Sequence, residues 1–195
     1  MHNVILLSSD GQKLGKTELA KTLVKEGICC ARDSFAIYIK KLSLDLHKGV
    51  SYDKYNSEEF YQTVKDKKVL NGFTPRDLFC DLSELVQKFY GEEVWAQHLH
   101  DLLEHDSNKD TDKPYCVVID DWRRLIESNY FEEKQKFNLI KVYLQKEGYS
   151  AKKLKGSSGN YEGKISPSDC DIVFKFKEDY SNTPELIDAI KSFIK

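Results

Sequence analysis

A short apolar run, Asn3–Ser8, leads through Ser9-Asp10-Gly11 to Gly15-Lys16-Thr17 at the head of a helical period. This order constrains the fold more than any other feature of the chain. A strand that is apolar at every position is buried on both faces, which implies a parallel sheet with helices on either side. A glycine-bearing turn from such a strand into a helix, ending in Gly-Lys-Thr, falls one residue short of the phosphate-cradling pattern G-x-x-x-x-G-K-[ST]. Asp10 stands where the first glycine belongs, and the nearest glycine is Gly11. Two readings are open. Either Asp10 adopts the positive φ that the position can require, as Asp tolerates better than most residues, or the turn begins at Gly11 and is one residue shorter. A plain strand-to-helix turn with a surface lysine is the competing reading; the strand before it and the helix after it favour the phosphate site.

Alternation continues along the chain. Thr17–Glu26 reads as a helix ending near Gly27, Ile28–Ala31 as a short strand, and Phe35, Tyr38, Ile39, Leu42 and Leu46 recur at helical spacing. From Ser57 to His105 the chain reads as three helical pieces. Ser57 opens the first. Thr74-Pro75-Arg76-Asp77 opens the second, with a capping threonine, proline at the first helical position and a carboxylate at the third. Glu92-Glu93 opens the last, whose stripe of Trp95, His98, Leu99 and Leu102 is expected to be core. Asp106–Lys113 reads as a surface linker. Tyr115–Ile119 is a strand ending at Asp120-Asp121, Leu125–Lys134 a helix and Phe137–Leu144 a strand. Lys152–Ser168 is a flexible loop, Asp171–Phe176 a last strand, and Thr183-Pro184 opens a final helix. Together these predict an α/β, doubly wound parallel sheet of five strands, with ligands at the carboxyl ends of the strands.

At 195 residues the chain suits one domain, with a helical insertion at 56–105 and a lid-like loop at 150–168. Its net charge of -2 excludes a general polyanion binder, so no polymeric nucleic acid is expected as a partner and any phosphate site must be local. Of the 30 basic residues only Arg32, Arg76, Arg123 and Arg124 carry the guanidinium fork that suits phosphate oxygens. Five cysteines without C-x-x-C spacing read as reduced thiols of a cytoplasmic protein. Val4–Leu7 is too short for a signal-peptide core, and no apolar run approaches a membrane span.

The chemistry-bearing residues gather at three places. In the first turn, Asp10, Gly11, Lys13, Gly15, Lys16 and Thr17 are expected to hold a nucleotide's phosphates. Backbone N–H groups and the helix dipole attract the oxygens. Lys16 would neutralise the transferred group, and the Thr17 hydroxyl would hold magnesium. The second place is Cys116-Val117-Val118-Ile119-Asp120-Asp121-Trp122-Arg123-Arg124, an apolar strand ending in acids, where Asp120 is expected beside a metal's water shell. The third is Arg76 in the first turn of a capped helix, a suitable site for an acceptor's phosphate. Solvated charge clusters and capped helices with a surface arginine are common, so the last two signals gain weight only beside the first. Asn108-Lys109-Asp110 lacks the final aspartate of a guanine-reading N-K-x-D and precedes a strand, which excludes a GTPase switch.

In this order the motifs resemble the deoxynucleoside monophosphate kinases of bacteriophages, whose P-loop NTPase fold phosphomevalonate kinases share. The resemblance runs patchily from Asn3 to the C-terminus, over "LSSDGQKLGKTELA", "SFAIYIKKL", "GFTPRDLFCDLSELV", "EVWAQHL", "VVIDDWRRLIE" and "DCDIVFKF". It implies that Arg76 and Arg123 face the monophosphate and act in catalysis with Lys16. It further implies that Lys40 lines the same pocket, that Asp121 orients Arg123 or the acceptor, and that Arg124 contributes. Relatives are often homodimers. The chain departs from the pattern at Asp10. It has no arginine across Lys152–Ser168, where Lys152, Lys153, Lys155 or Lys164 would supply charge, and it carries Phe176 where relatives tend to have asparagine.

The expected activity is an ATP- and Mg2+-dependent phosphotransferase of nucleotide biosynthesis, moving the γ-phosphoryl of ATP to a dNMP. Such an enzyme would act in the host cytoplasm if phage-encoded. Two alternatives remain at this level: a P-loop kinase for another small acceptor such as phosphomevalonate, and a non-catalytic nucleotide-binding module in which Asp10 marks a decayed loop.

Overall fold

A computed structural model describes residues 2–11, 14–39, 72, 74–109, 115–149 and 165–194. Lys13, Lys40, the helix expected from Ser57 and the lid-like stretch 150–164 lie outside the described residues. The chain divides into two compact units, 1–35 with 95–195, and 36–94.

The first unit holds strands β1 (His2–Ser9), β2 (Ala31–Asp33), β3 (Cys116–Ile119), β4 (Phe137–Lys146) and β5 (Ile172–Phe176). They form one all-parallel sheet in the order β2-β3-β1-β4-β5. With β1 central, Val4 to Leu7 have no solvent exposure, as the unbroken apolar run requires. Successive side chains go to opposite faces. Ile5, Leu7, Val118, Ile140 and Val142 pack with Leu19, Ala20 and Leu23 of α1 (Lys16–Lys25), together with Leu186, Ile187 and Ile190 of the C-terminal helix Thr183–Phe193. On the other face Val4, Leu6, Val117 and Ile119 meet Ala96, Leu99 and Leu103 of the helix Val94–Ser107 and Phe131 of the helix Leu125–Lys134. Helices cover both faces, so the sheet is doubly wound.

The described part of the second unit includes α2 (Pro75–Tyr90). Its start follows the expected chemistry. Thr74 Oγ1 accepts from the Asp77 amide at 3.1 Å, and the Asp77 carboxylate accepts from the Thr74 amide at 2.9 Å, with Pro75 opening the helix. Among the described residues the other α-helices, in chain order, are α3 (Val94–Ser107), α4 (Leu125–Lys134) and α5 (Thr183–Phe193).

Two expectations are corrected. The second strand begins at Ala31, not Ile28, because the end of α1 takes the intervening amides. Gly27, at φ 71°, donates to Val24 O, and both Ile28 and Cys29 donate to Leu23 O. In α3 the buried stripe is Ala96, Leu99, His100 and Leu103, one residue round from the expected one; Trp95 is half-buried and His98 exposed. His100 is enclosed edge-on by the rings of Tyr130, Phe131 and Phe137, at 5.2–5.8 Å between centroids.

Candidate functional site

β1 and β3 are neighbours in the sheet, paired from Asn3↔Cys116 to Leu6↔Ile119, so the turn after β1 and the acids after β3 emerge at the same sheet end. Gly15 caps α1 at φ 82°, a conformation in the left-handed region that L side chains rarely adopt. A methyl group there would also stand 3.3 Å from the Tyr180 ring. Having no side chain, Gly15 makes no cap hydrogen bond, so the first-turn amides of α1 are turned toward the loop without one. At Gly11 the constraint is space: an added Cβ would lie 2.9 Å from the Tyr149 hydroxyl.

Asp10 does not have a positive φ, which corrects the expectation that it substitutes for glycine on conformational grounds. Side-chain chemistry holds it instead. Its carboxylate accepts from the Tyr143 hydroxyl at 2.8 Å, and its amide donates to Leu144 O at 3.3 Å, tying the turn to β4. Burial and the Asp10 carboxylate push the Tyr143 phenol above its ordinary range, so it remains a donor. Lys16 curls back into the turn, where Nζ donates to Ser9 Oγ and to Gly11 O at 3.2 Å. The Ser9 hydroxyl donates in turn to Gly11 O at 2.7 Å.

Thr17 faces the other way. Its hydroxyl donates to Asp120 Oδ2 at 2.7 Å across 103 residues of sequence. The same oxygen accepts from Arg32 Nε at 3.0 Å and Nη2 at 2.9 Å, with Asp120 almost wholly buried. Arg32 received no role from sequence reasoning. It meets Asp120 because β2 pairs with β3 up to Asp33↔Ile119, which brings the ends of the two strands together. Asp121 Oδ1 accepts from the Phe35 amide at 2.8 Å, which fixes the exit from β2.

The two adjacent arginines separate. Arg123 is exposed just beyond the carboxyl end of β3. Arg124 is buried, with Nε 3.4 Å from Glu127 Oε1. Glu127 Oε2 also accepts the amides of Arg123 at 3.0 Å and Arg124 at 3.1 Å, closing the turn into α4. Burial raises the Glu127 carboxyl from its ordinary 4.5 to about 7, with nearby Asp121 adding to the rise; the Arg123 and Arg124 amides and the Arg124 charge offset only part of it. An acid whose folded value is raised is most favourable while protonated, so its contribution to stability is full below about 4.5 and is lost as pH rises to about 7. Chemical denaturation across pH 4–8 is expected to show a loss of up to about 3 kcal/mol from this group. Glu127→Gln, which keeps an acceptor for the two amides, is expected to remove that slope.

Arg76 sits half-buried in the first turn of α2, in the second unit. Among the described residues no group of three or more His, Cys, Asp or Glu side chains gathers as a metal cage, and no helix is long and apolar enough to cross a membrane. Magnesium beside a nucleotide needs no such cage, since water and phosphate fill most of its six positions. The Thr17 proton goes to Asp120, which leaves the hydroxyl lone pairs open toward a cation, and the adjoining Asp120 carboxylate is shared with Arg32. Comparison with protein-family models and with curated protein sequences finds no match for this chain.

Proposed function

We propose that the protein is a P-loop kinase that transfers the γ-phosphoryl of ATP to the phosphate of a deoxynucleoside monophosphate. The observation that carries this reading is the division of labour at the head of α1. Lys16 folds into a glycine-bearing turn over Ser9 and Gly11, while Thr17, one residue on, joins the acid that ends β3. Phosphoryl transfer between two anions needs positioning and charge neutralisation far more than covalent chemistry.

In this mechanism the amides at the head of α1 hold the nucleotide's phosphates and Lys16 neutralises the transferred group. Thr17 and Asp120 would hold Mg2+, which would supply positive charge beside the nucleotide's phosphates. Arg123, exposed beyond β3, is assigned to the acceptor's phosphate from the resemblance. Asp121 and the Arg124–Glu127 pair support the strand ends. No general base is required, because the acceptor phosphate is already ionised. A coupled assay of purified protein with ATP, Mg2+ and each dNMP in turn, with phosphomevalonate as a separate acceptor, is expected to show turnover with at least one dNMP. Turnover with phosphomevalonate alone would move the reading to the other acceptor class, and turnover with none would overturn it.

A further inference from the structure

At the opposite end of the sheet, where β3 begins, three cysteines meet. The Cys29 and Cys116 sulfurs are 3.4 Å apart inside the core that α1 and α5 cover. Cys30, next in the chain, is exposed, and its thiol lies 3.0 Å from the Cys116 carbonyl oxygen. Backbone pairing holds this cluster together, since the Cys30 amide donates to Cys116 O at 2.8 Å, one step before the Ala31↔Val117 register.

We propose that Cys29 and Cys116 form a disulfide when the protein meets a small peroxide, with the exposed Cys30 thiol as the point of entry. This inference is independent of the kinase reading. A disulfide bond is about 2.05 Å long, so the two sulfurs must close by roughly 1.4 Å, within the reach of side-chain rotation. The two thiols share a hydrogen bond in which either sulfur can donate, so either can keep the proton while the other attacks.

The chemistry balances in three steps. The Cys30 thiol attacks the peroxide, the O–O bond breaks, and Cys30 becomes a sulfenic acid with release of one water. The Cys116 sulfur displaces the sulfenic hydroxyl, which leaves as a second water, and a Cys30–Cys116 disulfide forms. Cys29 then attacks the Cys116 sulfur, restoring the Cys30 thiol and leaving Cys29–Cys116 bonded. Overall two thiols lose two protons and two electrons, and one hydrogen peroxide becomes two waters.

The cross-link would pin the turn after α1 to the start of β3, closing a loop of 87 residues in sequence, away from Asp120 at the other end of that strand. Treatment of the full chain with hydrogen peroxide, followed by denaturation, alkylation and peptide mapping, tests this. The expected result is a Cys29–Cys116 cross-link, a mass lower by two hydrogens, and three alkylatable cysteines of the original five. The melting temperature is expected to rise by roughly 5–15 °C and to return on reduction. Cys30→Ser is expected to slow cross-linking at least tenfold with unchanged thermal melting of the reduced protein. Recovery of Cys29 and Cys116 as free thiols while Cys30 advances to sulfinic acid would overturn the proposal, as would a Cys30–Cys116 end product or equal rates in Cys30→Ser.

Discussion

Lys16→Ala is expected to lower kcat by about a thousandfold or more while the protein stays folded. The size follows from what the ammonium is assigned to do. A preorganised positive group aimed at charge that builds in the transition state is worth several kcal/mol of barrier, and its loss is not made good by water. The folded state has little reason to change. Lys16 is only partly buried, its hydrogen bonds to Ser9 and Gly11 are local to the turn, and alanine suits the first position of a helix. Thermal melting of the variant is therefore expected within about 1 kcal/mol of the parent. A variant that melts normally and still turns over at the parental rate would leave Lys16 as a structural strut and remove the kinase reading. A loss of activity that tracks a loss of folding would show that the turn, and not the charge, is what matters.

How much of this was legible beforehand depends on the distance in sequence over which each contact acts. The β1 strand, the Gly-Lys-Thr turn and α1 are neighbours along the chain, so hydrophobic pattern and turn chemistry define them directly. The same holds for the Thr74–Asp77 cap of α2, a reciprocal pair three residues apart. Arg32 was not legible as a site residue, because its partner Asp120 is 88 residues away and they meet only through the lateral order of β2 and β3. Asp10 misled for a similar reason. The position was weighed on its backbone demands, whereas the turn is held by a Tyr143 hydroxyl arriving from β4. The α3 face was misjudged by one residue, since large apolar side chains draw attention while the buried positions are Ala96, Leu99, His100 and Leu103. Local chemistry can be read from the chain; which strand lies beside which must be seen.

Asp120→Asn is expected to reduce kcat by about a hundredfold or more and also to cost stability. The reasoning separates the two effects. Asp120 Oδ2 accepts from Thr17 and from two nitrogens of Arg32, and its side chain is only 4% exposed against 25% for Arg32. Removing the negative charge takes the Asp120 counter-charge from a partly buried guanidinium, a change that costs about 3–5 kcal/mol when both groups are fully buried and about 1–2 with Arg32 a quarter open to water. If Asp120 were only half of a structural ion pair, neutralising Arg32 as well would repair the damage. The double variant Arg32→Gln with Asp120→Asn is thus the sharper measurement. Its melting temperature is expected to recover most of what Asp120→Asn loses, because no unpaired charge remains. Its turnover is expected to stay low, because the carboxylate beside the Thr17 hydroxyl is assigned to the cation that accompanies the nucleotide, and an amide cannot supply that charge. Recovery of both stability and activity would restrict Asp120 to architecture and leave the head of α1 without its acidic partner in catalysis.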